Sequence, residues 1–159
     1  MIRLIEENLV RQNKAMLLMF LLLEEEFSRL TQLKPQSVSR VELSIQELMR
    51  QIAAERLSLR RLVARVVPTA QRVRDILSEL DEDRAEAVSQ LLQRLDDAEQ
   101  KCGVQASKNQ QMAMALFDQS KGLLDFMHNQ IKPKSTTTYG RTARYAKGVN
   151  DARLLSGRL

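Results

Sequence analysis

The longest periodic segment of the chain, residues 83–131, reads DRAEAVSQLLQRLDDAEQKCGVQASKNQQMAMALFDQSKGLLDFMHNQI. Mostly apolar or small residues recur in it every seven positions, in the series Val88, Leu95, Cys102, Asn109, Leu116 and Leu123. A second series lies three or four positions after members of the first and contains Leu91, Ala98, Ala106, Ala113 and Met127. This is the spacing of a helix that packs along most of its length against other helices. It predicts a helix about 70 Å long, which starts at a capping box of Asp83 and Glu86 and ends before Lys132-Pro133.

Two further long helices are predicted upstream. Residues 2–33 carry a heptad stripe, interrupted by the polar Gln12 and Glu26; its members are Ile2, Ile5, Leu9, Met16, Met19, Leu23, Phe27 and Leu30. Within this helix, residues 15–23 are apolar on every face, which indicates either the buried middle of a bundle or a surface for a partner. Lys34-Pro35 ends this helix, because the residue before a proline is pushed out of the α region. A second helix is predicted over 37–66, capped by Ser37 or Ser39. The short turn makes the two helices antiparallel, and a short connector helix follows over residues 70–80.

These segments predict an all-α fold, an elongated antiparallel bundle of three main long helices with a short connector helix and a C-terminal basic tail. Five Gly, three Pro and 4% aromatic residues agree with helical bundles. The bundle is expected over residues 1–131 and the tail over residues 132–159. The chain has a formal net charge of +5, and the tail alone, with seven Lys/Arg against Asp151, carries +6. An apolar face at helical spacing indicates a short amphipathic helix in the tail; its members are Val149, Ala152, Leu155 and Leu159.

The sequence contains no pattern typical of an enzyme. It lacks a paired His, Cys and Asp set, a phosphate-binding glycine loop and a metal-ligand spacing, so we expect no catalysis, no cofactor and no metal. The lone Cys102 permits no intrachain disulfide, which suits a reducing compartment. The apolar run 15–23 is too short to cross a bilayer, and no signal-peptide pattern is present. We therefore expect a cytoplasmic protein.

Asn109 is the polar residue of the core series. A single polar residue at such a position commonly fixes the register of packed helices at some cost in stability. The alternative is a surface position, because the stripe drifts around the helix. If Asn109 faces the core, an Asn109→Leu variant is expected to be more stable, since it removes a buried polar group.

The chain resembles the flagellar export chaperones of the FlgN type. Four features carry the resemblance: Leu-Leu-Leu-Glu-Glu-Glu over residues 21–26, the step Glu55-Arg56, Asn109 in a long last helix, and Thr138-Tyr139-Gly140 followed by a basic tail. The sequence departs from the pattern at Ala143, where the family has a second glycine. The segment between the acidic triplet and Arg56 is also longer.

The resemblance implies a non-enzymatic chaperone. Such proteins bind the C-terminal helical region of flagellar hook-associated (hook–filament junction) proteins, prevent their premature assembly and deliver them to the type III export gate. It also implies that the client binds the C-terminal part, where we expect the apolar face of Val149, Ala152, Leu155 and Leu159 to contact it. Tyr139 is then the candidate for the contact with the export gate.

Two other functions fit the residues. A structural coiled-coil protein, which forms homo-oligomers and has no client, needs only the heptad stripes. A nucleic-acid-binding bundle would use the +6 tail to neutralise phosphates. Against the second, the basic residues are scattered and the body is near neutral, so we expect no nucleic acid among the partners. We expect no stable membrane insertion either.

Overall fold

The computed structural model describes residues 1–131. They form three long α-helices, α1 (Ile2–Thr31), α2 (Pro35–Val66) and α3 (Glu82–Ile131), with a 3-10 helix, Val73–Glu79, between α2 and α3. The described part contains no strand. The predicted all-α class with three main long helices and a short connector is confirmed. The predicted basic tail, residues 132–159, lies outside the described residues.

The turn between α1 and α2 is closed by backbone groups. Leu33 adopts a positive φ of 56°, its amide donates to the Leu30 carbonyl, and the Lys34 amide donates to the Arg29 carbonyl. This is the Schellman arrangement, in which a left-handed residue satisfies the last carbonyls of a helix.

The predicted cap of α2 is wrong. The helix begins at Pro35 with Lys34 at the cap position, because proline is already suited to a first helical position. The Ser37 hydroxyl donates to the Lys34 carbonyl, and the Ser39 hydroxyl donates to the Pro35 carbonyl.

Hydrogen bonds between elements give the direction of each helix. Asn8 on α1 contacts Glu55 on α2, whereas Arg29 near the end of α1 contacts Ser37 near the start of α2, so α1 and α2 are antiparallel. Met16 and Leu23 of α1 accept hydrogen bonds from residues of α3 that are each 86 positions further along the chain. A constant separation means that α3 runs parallel to α1.

Most of the core lies along the predicted stripes; Val63 of α2 is the exception among its most buried residues, because the predicted series there runs through Leu59, Leu62 and Val66. Ile5, Leu9, Ile76, Val63 and Val88 are at most 1% exposed. Met16, Met19 and Leu23 of α1 join the same cluster, together with Leu95 and Cys102 of α3. At about 25 cal/mol per Å² of apolar surface removed from water, this cluster is the main stabilising term of the fold.

The connector helix predicted over residues 70–80 is a 3-10 helix, Val73–Glu79. The Asp75 carboxylate accepts hydrogen bonds from the amides of Gln71 and Arg72 and so fixes its start. Val73 and Ile76 are buried, which anchors the connector to the core.

The chain divides into two compact units, Met1–Met114 and Ala115–Leu159. The first contains α1, α2, the connector and α3 as far as Met114. The described part of the second is the rest of α3, residues 115–131. The change of composition predicted at Lys132 falls inside the second unit.

Candidate functional site

The end of α3 exposes a run of large apolar side chains. Between 49% and 69% of each is accessible to solvent; they are Phe117, Leu123, Leu124, Phe126, Met127 and Ile131. The heptad pattern predicts that Leu123 and Met127 pack against other helices, and this is wrong for the described residues. A heptad stripe indicates that one face of a helix is apolar, but it does not indicate whether another helix covers that face.

Five of these side chains share one face. Phe117, Leu124 and Ile131 are seven residues apart, while Leu123 and Met127 lie beside them at the spacing of a helix turn. At 3.6 residues per turn they form a stripe about 120° wide. We call these five residues the α3 stripe. An exposed apolar patch of this kind marks a site of interaction, and its shape suits a partner helix laid along it.

Asn109 is buried, with 4% of its surface accessible. Its Nδ2 donates to the Leu23 carbonyl over 2.8 Å and to Glu26 Oε2 over 2.6 Å, and its Oδ1 accepts from Gln105 Nε2 over 3.0 Å. The side chain therefore joins α3 to α1 with its hydrogen-bonding groups satisfied. Its role in fixing register stays a prediction.

A second polar cluster joins α1 to α2, and the sequence pattern misses it. Asn8 is fully buried; its Nδ2 donates to Glu55 Oε2 and its Oδ1 accepts from Gln12 Nε2. Arg11 pairs with the same Glu55 carboxylate over 2.9 Å, and this hydrogen bond raises the pKa of the Arg11 guanidinium. The only signal for this cluster in the sequence is that Asn8 lies next to Leu9 and four residues before Gln12.

The Glu55-Arg56 step connects all three long helices. Glu55 accepts hydrogen bonds from α1, while the Arg56 guanidinium pairs with Glu99 on α3. Adjacent residues on a helix point about 100° apart, so the two charges reach different neighbours. The Glu55-Arg56 step therefore has a structural role in this fold.

Cys102, the single cysteine of the chain, is buried. Burial raises the pKa of the Cys102 thiol and the nearby Glu99 carboxylate raises it further, so the thiol stays protonated at neutral pH and is a poor nucleophile. Its Sγ lies 3.4 Å from the Met16 carbonyl oxygen. Among residues 1–131, no group of three or more His, Cys, Asp or Glu is placed to hold a metal ion.

A family model described as FlgN protein matches residues 1–147. The chain belongs to the FlgN family. Members of this family are chaperones of flagellar export. Neither curated proteins nor solved structures gave a significant match. Within the described residues of this FlgN protein, no helix is long and apolar enough to cross a membrane.

The family match separates the sequence-predicted site residues into two groups. Tyr139 lies inside the matched range, whereas Val149, Ala152, Leu155 and Leu159 lie beyond its end at residue 147. All five lie outside the described residues. The α3 stripe is inside both the matched and the described ranges, which makes it the better-supported part of the candidate surface.

Proposed function

We propose that this FlgN protein is a cytoplasmic chaperone for flagellar hook-associated proteins. It binds their C-terminal helical region, prevents premature assembly and delivers them to the type III export gate. The observation that carries this proposal is the exposed α3 stripe, in a chain whose family is that of flagellar export chaperones. A client whose terminal helices would otherwise polymerise needs a partner that offers an apolar helix face, and the stripe is such a face.

The energetics support the α3 stripe as a source of affinity. Burying a leucine side chain is worth roughly 1.5–3 kcal/mol. Ordering a segment on binding costs about 2–5 kcal/mol, which is about the gain from burying one or two leucines. The stripe belongs to a formed helix, so little of its burial energy is lost in ordering. We infer that the α3 stripe binds the client helix and that Leu155 and its neighbours contribute further affinity.

Calorimetry with a purified hook-associated protein tests this division. Leu124→Glu places a charge in the middle of the stripe, and we expect client affinity to fall at least about tenfold, equivalent to about 1.4 kcal/mol. Leu155→Glu should have a smaller effect of the same sign. The matched control is Met49→Glu, which changes a methionine on α2 that is 58% exposed and should leave affinity unchanged. Equal losses in the Leu124 and Met49 variants would contradict the proposal.

Delivery to the gate is tested separately through Tyr139. Tyr139→Ala is expected to leave client affinity at the parental value and to reduce export of the hook-associated proteins from cells. Tyr145→Ala serves as the control, because it removes the other tyrosine of the same segment. If Tyr139→Ala binds the client more weakly, Tyr139 belongs to the client surface and its assignment to the gate is wrong.

A further inference from the structure

A groove lies between α1 and α3 in the first compact unit. It holds a cavity of about 590 Å³; the lining residues used below are Val10, Lys14, Met16, Leu17, Arg94 and Lys101. Met16 is buried at its base, whereas Leu17 is 62% exposed and Val10 37% exposed. Leu17 and Phe20 of the apolar segment 15–23 therefore line this groove, while Met19 and Leu23 pack in the core.

The groove continues along α3. A neighbouring cavity of about 520 Å³ shares Phe20, Asp97 and Lys101 with the first and extends to Val104 and Lys108. From Leu91 to Lys108 the helix rises about 26 Å, which is the length of a helix of about 17 residues. The two cavities together suit an extended partner better than a compact small molecule.

The borders of the groove are positively charged. Four cations line the two cavities, Lys14, Arg94, Lys101 and Lys108, against two acids, Glu24 and Asp97. Within residues 1–131, none of these four cations forms an ion pair, whereas Arg11, Arg56 and Arg74 each pair with a carboxylate on another element. The positive charges of these four residues are therefore available to pair with the carboxylates of a partner.

The charge also argues against two occupants from this chain. The tail carries +6, and a second copy would place one basic groove against another. Both arrangements bring like charges together, which costs affinity. An acidic partner, in contrast, would gain affinity from the attraction between its carboxylates and the basic residues of the groove.

We propose that the α1/α3 groove binds an amphipathic helix of a partner protein whose apolar stripe is flanked by acidic residues. This goes beyond the proposed client site, because the groove lies in residues 1–114 and the α3 stripe in residues 115–131. Apolar side chains of the partner would cover Leu17 and Phe20, and its carboxylates would meet Lys14, Arg94 and Lys101.

Fluorescence anisotropy of a labelled peptide tests the proposal on the full chain. The probe is an 18-residue helical peptide with leucines at every third and fourth position and glutamates on both flanks. A second peptide carries lysines in place of the glutamates. We expect the acidic peptide to bind at least tenfold more tightly than the basic one, with an affinity that falls as salt is added.

Variants of the chain locate the site. Leu17→Glu should weaken binding of the acidic peptide at least tenfold, and the double variant Lys14→Glu with Lys101→Glu should remove the preference for it. Leu43→Glu is the matched control, because Leu43 is 64% exposed on α2 and does not line the groove. Circular dichroism of each variant establishes that the bundle is folded.

Several results would overturn the proposal. One is equal binding of the two peptides, and another is a loss in Leu43→Glu as large as in Leu17→Glu. A dimer in solution that Leu17→Glu dissociates would assign the groove to a second copy. Tighter peptide binding in Leu155→Glu would assign it to the tail of the same chain.

Discussion

Large apolar side chains lie in opposite environments in two parts of this protein, the inward face of residues 15–23 of α1 and the end of α3, residues 116–131. In the first, Met16, Met19 and Leu23 are only 6–7% exposed. In the second, the α3 stripe is 49–69% exposed. The same side chains therefore stabilise the fold in one segment and remain available for binding in the other.

The difference comes from the neighbours of each helix. Met16 and Leu23 of α1 are in direct contact with Cys102 and Asn109 of α3. The described part of the second unit consists of a single helix, and its apolar stripe is exposed to solvent. We expect the buried positions of the first segment and the α3 stripe to respond in opposite ways to substitution. Changes at Met16, Met19 or Leu23 should alter stability, and changes in the α3 stripe should alter binding.

The largest expected effect is on stability in the first segment. Leu23→Ala removes a side chain that is 6% exposed, and large-to-small changes of this kind cost about 2–5 kcal/mol through lost burial and a residual cavity. Urea denaturation followed by circular dichroism measures it. Leu124→Ala, at a side chain 62% exposed, should stay within about 0.5 kcal/mol of the parent. Similar losses in both variants would show that the α3 stripe is part of the core.

A smaller effect is expected at Asn109. From the heptad position alone, Asn109→Leu should raise stability. Because Asn109 forms hydrogen bonds to Leu23 and Glu26, we expect the substitution to lower stability instead. Leucine leaves the Glu26 carboxylate and Gln105 without their partner, and we expect a loss of about 1–2 kcal/mol. The control is Asn129→Leu, an exposed asparagine on the same helix. A melting temperature of Asn109→Leu above that of the parent would contradict this and would show that removing the buried polar group stabilises the fold.

The periodicity of the sequence is sufficient to predict the helices of this fold and most of its core. Ile5, Leu9, Met16, Met19 and Leu23 are all on the predicted stripe and all buried. Periodicity works here because a helix repeats its buried face every 3.6 residues whatever it packs against.

The candidate site is less predictable than the core. The exposure of Leu123 and Met127 depends on whether another helix is present beside them, which is a property of the tertiary structure. The role of Glu55 depends on Asn8 and Arg11, 47 and 44 residues away in sequence. The left-handed backbone at Leu33 is also not predictable from the sequence, because glycine is the residue that favours this conformation.

The smallest expected change in stability is at this turn. Leu33 is 68% exposed and has a φ of 56°, a conformation that costs a non-glycine residue about 1–2 kcal/mol. Leu33→Gly relieves it but gives the unfolded chain more freedom, worth about 0.4–1 kcal/mol. We expect a net gain of up to about 1 kcal/mol. Leu57→Gly, inside α2, should lose about 1 kcal/mol instead, so a loss in both variants would contradict the analysis of the turn.

Hydrogen exchange of the full chain, free and bound to a purified hook-associated protein, tests the central claim most directly. A helix end with few packed neighbours opens easily, so the amides of residues 115–131 should exchange fast in the free protein. When the client covers the α3 stripe, we predict that these amides become strongly protected while those of α2 keep their rates. Unchanged exchange over residues 115–131 in the complex, with protection elsewhere, would contradict the claim that the end of α3 holds the client.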